Sequence, residues 1–357
     1  MVDSYERAEK FTGNPGRDLL RKSMLSLSLT FFGAQHRQAH ITSKGYHRYG
    51  EVLQQLNSHL TQPKQQLTDE TLLTALSCML LEVFRPTGAT NFLKHQRGID
   101  AIMQLRGPPT DSAGTSALIF RGLRILSIIG ALAESRTSLF SRKEWKQAPP
   151  AETTEAGMLQ HQIFDVLADC TKLISQRDDL LATGASREDF EPLVAETSTI
   201  LRNLEDIHLR WESLNRSQLA DTEIVSRVAR ELGVANHISA TAYMLYNTVY
   251  ICILQIKDSL CPSSDNTTLR NAAASKIARC LKLKAEEVRE GALRSSTIAF
   301  VATKVAWQAL GKFDSPEGRN LAYIVQSAMY GIFQEPCTKR EAKTLTETPA
   351  PNKTFFA

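Results

Sequence analysis

Apolar residues recur three and four positions apart along almost the whole of this 357-residue chain. That spacing places side chains on one stripe of an α-helix, because the helix completes a turn every 3.6 residues or so. Alternation by two, the strand pattern, is found only over residues 24–29, which fit the helical spacing as well. The pattern predicts an all-α protein of about ten helices packed as an irregular multi-helix bundle. We expect the stripe residues to be buried: Leu20, Met24, Leu27, Phe31, Leu72, Leu76 and Val83.

Proline, glycine and polar clusters between these stripes set the expected organisation of the chain. In the second half they delimit long helices, predicted at residues 155–181, 187–214, 218–258, 266–281, 284–311 and 316–333. The expected domains are a short extension (1–16), one helical domain (17–335) with a sub-boundary near 148–155, and a disordered polar tail (338–357).

Composition and charge limit the classes of function. A net charge of +4 with 42% hydrophobic residues is ordinary for a globular protein and too small for a dedicated nucleic-acid binder, so we expect no direct, specific DNA binding. The N-terminus has no apolar signal-peptide core. Ala240–Ile256, which we take as the most apolar stretch, is interrupted by polar residues and shorter than a membrane span. The sequence therefore predicts a nuclear or cytoplasmic protein without a membrane partner, whose six widely spaced cysteines are reduced and mostly buried.

A search for catalytic or metal-binding patterns identifies no cofactor, metal or catalytic residue. Glycine-rich phosphate loops and the nucleophile elbow of hydrolases do not occur in the sequence. His36 and His40 are one helical turn apart, but no third ligand lies near them. The acidic pair beginning at Asp178 lacks a carboxylate one turn on, which a magnesium site needs. His161 and Asp165 could form an acid–base dyad, but the pattern is more typical of a local hydrogen bond.

Three tyrosines share one face of the apolar helix in the second half of the chain. Tyr243, Tyr246 and Tyr250 follow one another at spacings of three and four, and Asn247 lies among them. Such a stripe is usually part of the core. Buried hydroxyl groups need partners, however, so the same four residues could line a small-molecule pocket. Both interpretations remain open from the sequence.

The segment Phe92–Pro109 is a basic helix that ends at Gly107 and Pro108. We interpret Lys94, Arg97 and Arg106 as the solvated and inter-helix side of a scaffold helix, in which the arginines bond acids or carbonyls of neighbouring helices. Gly98 would allow a close approach of another helix. Contact with nucleic acid is the alternative interpretation.

An ordered set of short motifs runs through the first half of the chain. A helix ends in an acid and an aromatic residue; a basic H-x-R-G helix closes on R-G-P; an F-R-x-L-R helix and an F-x-x-x-x-W end follow. The residues are Glu82 and Phe84; His95, Arg97, Gly98, Arg106, Gly107 and Pro108; Phe120, Arg121 and Arg124; Phe140 and Trp145. With a looser match around Trp211 and Tyr243, this set resembles the fungal-specific transcription factor domain over residues 17–335. That domain is the helical region C-terminal to the binuclear zinc cluster of fungal regulators.

The resemblance departs from the family pattern in one respect. The six cysteines are too far apart to form the zinc cluster that reads DNA in this family. It therefore implies a regulatory domain without its own DNA-binding module: a natural truncation, an incomplete gene model, or a helical body reused for another task. The implied partners are other transcription regulators or a second copy in a dimer, together with a small-molecule effector, and the implied setting is fungal secondary metabolism.

Two other functions compete with that interpretation. One is an enzyme or small-molecule binder of secondary-metabolite biosynthesis, with His161, the tyrosines or Trp307 around a pocket, although the sequence favours a role without catalysis. The other is a pure interaction module that dimerises with zinc-cluster regulators and blocks them.

Overall fold

A computed structural model of the protein describes residues 13–88, 90–149, 154–220, 227–261, 265–289 and 297–328. In this part of the chain the structure is 83% helical and contains no strand, with 14 α-helices of which 11 have seven or more residues. The predicted all-α class is thereby confirmed. The expected tail at 338–357 and most of the expected N-terminal extension lie outside the described residues.

The helices are named α1 to α14 in chain order. The first seven are α1 (Pro15–Gln35), α2 (Ala39–Leu60), α3 (Pro63–Gln66), α4 (Asp69–Phe84), α5 (Asn91–Arg106), α6 (Gly114–Ala133) and α7 (Lys143–Lys146). They are followed by α8 (Glu155–Ala182), α9 (Glu191–Ala220), α10 (Arg227–Leu232), α11 (His237–Leu260), α12 (Thr267–Arg289), α13 (Thr297–Ala309) and α14 (Pro316–Ala328). Short 3-10 turns lie at Leu139–Ser141 and Arg187–Phe190.

The chain divides into two compact units. The first extends to Gly130 and includes residues 147–149; the second comprises residues 131–146 and the chain from Pro150 onward. Helices α1 to α5 and most of α6 therefore belong to the first unit, and α7 to α14 belong to the second.

Some predicted helix limits agree with the structure and others do not. Helix α9 continues to Ala220, past the predicted end at 214. Helix α8 matches the predicted segment at 155–181. The predicted helix at 218–258 is wrong, because Gly233 adopts a left-handed φ of 68° and Asn236 starts a new helix by accepting hydrogen bonds from the Ile238 and Ser239 amides. The predicted break between 281 and 284 is also wrong, since α12 continues through it.

In the first unit, α1 packs against α2 through very small residues. The buried face of α1 consists of Gly16, Leu19, Ser23, Ser26, Thr30 and Gly33. The Ser26 hydroxyl donates a 2.9 Å hydrogen bond to the carbonyl oxygen of Gly45 on α2. A Cβ atom added at Gly45 would lie 2.7 Å from the backbone nitrogen of Thr30, and one added at Gly33 would lie 2.5 Å from that of Thr42. The two backbones are therefore nearly in contact.

This packing overturns the predicted burial of the α1 stripe. Met24 is 57% exposed and Phe31 is 48% exposed, while Leu20 and Leu27 are half-buried. The close approach of α1 to α2 needs small side chains, so the larger apolar side chains lie on a different part of the helix surface. On α4 the prediction is mixed, because Leu72 is 2% exposed, Leu76 is half-buried and Val83 is 38% exposed.

Helix α11 forms the centre of the second unit. It contacts α8, α9, α12 and α13, and almost every side chain from Ala240 to Ile256 is buried. A helix that is apolar on all sides requires such complete cover. Among the described helices, only α6 is long and apolar enough to cross a membrane by length and composition, with a mean hydropathy of 1.7 and 56% of its window buried. Buried core helices meet the same criteria. The assignment of 240–256 as the most apolar stretch is corrected accordingly.

The described cysteines form no disulfide, and all but Cys261 are buried. Burial raises the pKa of the Cys252 thiol to about 12, and burial together with the nearby Glu82 carboxyl raises that of Cys78 to about 12. Such thiols remain protonated and unreactive. The predicted free, mostly buried cysteines are confirmed for these residues; Cys337 lies outside the described part.

The close contact of α1 and α2 makes a matched pair of glycine substitutions informative. We expect Gly45→Ala to lower the free energy of unfolding by about 1–3 kcal/mol, because its Cβ overlaps backbone atoms of Thr30 that cannot move away. In the same helix, Gly50→Ala should raise stability by up to about 1 kcal/mol, because a Cβ there meets nothing within 4 Å. Urea unfolding of both variants measures the difference. Equal effects at the two positions would contradict the close packing.

Candidate functional site

The motif residue Glu82 is the centre of a buried hydrogen-bond network in the first unit. Its side chain is near the end of α4 and its residue is 3% exposed. One carboxylate oxygen, Oε1, accepts from the Tyr49 hydroxyl at 2.8 Å and from the Thr87 hydroxyl at 2.6 Å. The other, Oε2, accepts from the Thr87 backbone amide at 2.7 Å. Three donors thus offset the cost of burying this carboxyl group.

His95 extends the network to α5. Its Nε2 atom lies 2.8 Å from the Tyr49 hydroxyl oxygen. Because the single Tyr49 proton is directed to Glu82, the tyrosine oxygen accepts from His95, so the imidazole carries its proton on Nε2. Burial lowers the pKa of His95, with Glu82 opposing that shift. The network therefore ties α2, α4 and α5 together through a neutral histidine, which is a structural arrangement of motif residues.

The basic residues of α5 divide between the protein surface and a contact with a neighbouring helix. Lys94 and Arg97 are exposed. Arg106 forms an ion pair with Asp69 of α4, with 2.5 Å between Nη2 and Oδ1, and donates to the Ser116 hydroxyl at 3.0 Å. Gly107 ends the helix with a left-handed φ of 77°, followed by Pro108.

The expected role of Gly98 is wrong. A Cβ atom added there would meet nothing within 4 Å. The close approach on α5 occurs instead at Gln96, whose Cγ would lie 2.5 Å from a Cβ added at Gly130 of α6. Gln96 is fully buried and donates at 2.9 Å to Asp100, which also accepts from Ser127 at 2.6 Å.

Sequence reasoning missed this second polar cluster and the part that Tyr49 and Thr87 have in the first. No spacing rule distinguishes a buried Gln, Asp or Thr from an exposed one. The only signal available was the glycine within the apolar run of α6, which indicates a close contact.

In the second unit, the tyrosines of α11 belong to a stack of five nearly parallel rings, the aromatic ladder, formed with two residues of α9. Trp211 and Tyr243 stack with ring centroids 4.9 Å apart and 5° between planes. His208 and Tyr246 stack at 4.1 Å and 13°. Tyr250 continues from Tyr246 at 5.9 Å and 19°.

Charged groups lie along the edge of the ladder. The Lys276 ammonium lies 5.8 Å from the Tyr243 ring centroid, within cation–π range. Glu212 lies 3.3 Å from His208 Nε2. Burial lowers the pKa of His208, and burial raises that of Tyr246. Both shifts favour the neutral form of these two rings near pH 7.

This geometry favours the packing interpretation of the tyrosine stripe over a ligand pocket. Neighbouring rings cover one another's faces and occupy the space between α9 and α11. Asn247 is 1% exposed, and its side-chain amide donates to the Tyr243 carbonyl oxygen at 2.8 Å, so it contributes to its own helix. Offset stacking contributes about 0.5–1.5 kcal/mol per pair beyond burial.

The remaining sequence candidates are held by separate contacts. The proposed His36 and His40 pair does not share a helix, because α1 ends at Gln35 and α2 begins at Ala39. His161 Nε2 and Asp165 Oδ2 lie 3.7 Å apart. Within the described residues, no group of three or more His, Cys, Asp or Glu side chains could hold a metal ion. Trp307 packs edge-to-face on Phe313 at 5.0 Å.

Two further candidates have clear structural contacts in the second unit. The acidic residue Asp178 pairs with its neighbour Arg177 at 2.7 Å. The motif residue Trp145 is 3% exposed and packs edge-to-face on Phe140 at 5.4 Å.

Removal of the central carboxylate tests the Glu82 network. We expect Glu82→Ala to lower the free energy of unfolding by about 2–5 kcal/mol, because the buried Tyr49 hydroxyl would lose its acceptor and Thr87 would lose both of its bonds to the carboxylate. Glu51→Ala, at an exposed position of α2, should change it by no more than about 0.5 kcal/mol. Chemical denaturation of both variants measures the effect. A small loss at Glu82 would show that the network adds little stability.

The pH dependence of stability tests the neutral state of His95. A histidine whose pKa is lower in the folded state than the ordinary 6.5 binds fewer protons there than in the unfolded chain, so stability falls as the pH drops below 6.5. His59 and His208 share this direction. We expect His95→Gln, which keeps an N–H donor for Tyr49, to reduce the loss of stability between about pH 7.5 and 5.5. Parallel curves for the two proteins would contradict this role.

Truncation of the ladder distinguishes packing from ligand binding. Tyr246→Ala should lower the free energy of unfolding by about 3–5 kcal/mol, and Tyr250→Ala, at the half-buried end, by less. A panel of small aromatic compounds should leave the melting temperature unchanged. A dose-dependent rise in the wild type that Tyr246→Ala abolishes would instead support the pocket interpretation.

Comparison with known proteins places these motifs in a family. A model of the fungal specific transcription factor domain matches residues 9–302. An uncharacterized protein of Emericella nidulans is 25% identical over 116 residues, covering 32% of this chain and 25% of the relative. The chain thus aligns with about a quarter of that protein's length. No solved structure matches. Since the family model covers most of the sequence, including the Glu82 network and the aromatic ladder, the chain belongs to the fungal specific transcription factor domain family.

Proposed function

We propose that this chain is a transcription-regulatory domain that acts through protein partners and leaves the recognition of DNA to them. The observation that supports the proposal is the family match over residues 9–302. Partners of this kind are other transcription regulators or a second copy of the chain, and the site of action is the nucleus or the cytoplasm. A fungal metabolic pathway, including secondary metabolism, is the setting we propose.

The hydrogen-bonded motif residues are consistent with a scaffold role. Glu82, His95 and Arg106 each bond a residue on another helix or on the loop after α4. Buried polar networks of this kind specify one arrangement of helices, because any other leaves charged or polar groups without partners.

A tethering assay tests the regulatory role directly. The chain is fused to an unrelated DNA-binding module and expressed in a fungal reporter strain carrying the cognate site. We expect reporter expression to change by at least about threefold relative to the module alone, because tethering supplies a high effective concentration at the promoter.

The control for this assay is the fusion carrying Glu82→Ala, which should lose the effect together with the folded scaffold. An unchanged reporter at equal levels of a folded wild-type fusion would count against the proposed function. A fluorescent fusion reports on nuclear or cytoplasmic location in the same strain.

A further inference from the structure

The helix α1 presents an apolar surface that is exposed among the residues of the first unit that the structure describes. Met24, Phe31 and Phe32 are 57%, 48% and 48% exposed, and Leu20 and Leu27 are half-buried. At about 100° per residue, Leu20, Met24, Leu27 and Phe31 lie within an arc of about 60°. We call these five residues, with Arg17 and Arg21 beside them, the α1 face.

The spacing on the α1 face is that of a helix-pairing seam. Its apolar residues follow at intervals of four, three and four, the pattern that meshes with a second helix of similar spacing. A shallow depression runs beside it, whose lining includes Arg17, Leu20, Arg21 and Met24 of α1 and Asp69, Glu70 and Leu73 of α4. Both carboxylates are paired with arginines, Asp69 with Arg106 and Glu70 with Arg17. A helix that lies along the seam would therefore also contact α4 on one side.

The segment that forms α1 and α2 carries an excess of basic residues. Residues 15–60, which contain α1 and α2, have six of the 42 Lys and Arg residues, at positions 17, 21, 22, 37, 44 and 48, and two of the 38 acids, Asp18 and Glu51. The rest of the chain therefore has 36 basic and 36 acidic residues. The whole positive net charge of the protein lies in the α1–α2 pair, so an approaching acidic molecule is directed there.

The combination of apolar seam and positive charge narrows the class of partner. Nucleic acid satisfies basic residues but gains nothing from exposed Met and Phe side chains. A membrane surface would bury the apolar residues, but membrane binding requires neither the regular seam spacing nor the depression beside it. A helix with apolar residues at the same spacing and acidic flanks satisfies both features.

We infer that the α1 face binds an acidic amphipathic helix of a partner protein, which lies along the Leu20–Phe31 seam with its carboxylates toward Arg17 and Arg21. Arg17 already lies 3.6 Å from Glu70, so Arg21 makes the larger contribution to the partner. The identity of the partner as a transcription regulator rests on the proposed function, whereas the binding of an acidic helix to the α1 face does not.

Binding of a designed peptide to the full chain tests the inference. The probe is a fluorescein-labelled peptide of about three heptads, with leucine at the seam positions and glutamate at the flanks. We expect saturable binding by fluorescence anisotropy. Met24→Gln combined with Phe31→Gln should weaken it at least about tenfold, and Arg21→Glu about threefold, an effect that shrinks as salt is added.

Matched controls exclude nonspecific binding of the peptide. Leu118→Gln, which alters an equally exposed leucine of α6, should leave the affinity within about twofold. A peptide of the same composition with its seam scrambled, and one with lysine in place of glutamate, should bind at least about tenfold more weakly. Circular dichroism should show that each protein variant remains folded.

Several outcomes would overturn the inference. The first is that the peptide does not bind at about 100 µM protein. The second is that the Met24/Phe31 double variant binds the peptide as tightly as the wild type. The third is that the double variant still binds the peptide but no longer binds phosphatidylserine vesicles or duplex DNA that the wild type binds. If the wild-type chain alone sediments as a dimer and the double variant sediments as a monomer, the α1 face binds a second copy of the chain instead. None of these measurements depends on transcription. The tethering assay can therefore support the proposed function even if this inference is wrong.

Discussion

The first unit depends on how closely the backbones of α1 and α2 approach each other. Glycine at positions 33 and 45 removes the side chains that would separate the two helices, and the Ser26 hydroxyl reaches the Gly45 carbonyl as a result. Contacts this close give up the burial of large apolar groups in exchange for dispersion over many backbone atoms. The consequence is that Met24 and Phe31 remain at the surface. A single choice of contact face thus determines both the packing of α1 and what it offers to other molecules.

Sequence reasoning identified the fold class and the family because both depend on patterns that persist over many residues. Helical spacing and the order of motifs survive local error, and the ends of helices at Gly107 and near Cys261 follow from backbone chemistry. It identified the wrong buried face of α1, because the stripe of large apolar residues was taken as the side that packs against the rest of the unit. A face of Gly, Ser and Thr has little hydrophobic signal, although it packs more tightly. Helix α12 crosses a predicted break for a related reason: nothing local ends it.

The candidate sites were predicted in part. The motif positions Glu82, His95 and Arg106 were recognised, but their partners were not, because a hydrogen bond between α2 and α4 depends on distances that only the fold sets. The tyrosine stripe was recognised as one face, while the ring of His208, inserted from α9 beside Tyr246, was not foreseen. In both places a polar or ionisable group is held neutral or fully bonded inside the protein. Such arrangements make the helix register specific, since a shift of one turn would break several bonds together.

The central position of α11 has a consequence for synthesis of the protein. The helix ends at Leu260, whereas its later neighbours α12 and α13 end at Arg289 and Ala309. About fifty residues must therefore be made after α11 before all of its apolar surface can be covered, which takes several seconds at common translation rates. Throughout that interval the nascent chain carries a helix that is apolar on every side. Folding of the second unit thus depends on the synthesis of α12 and α13, and a ribosome that stalls within α12 would leave an exposed apolar surface on the nascent chain, to which chaperones bind.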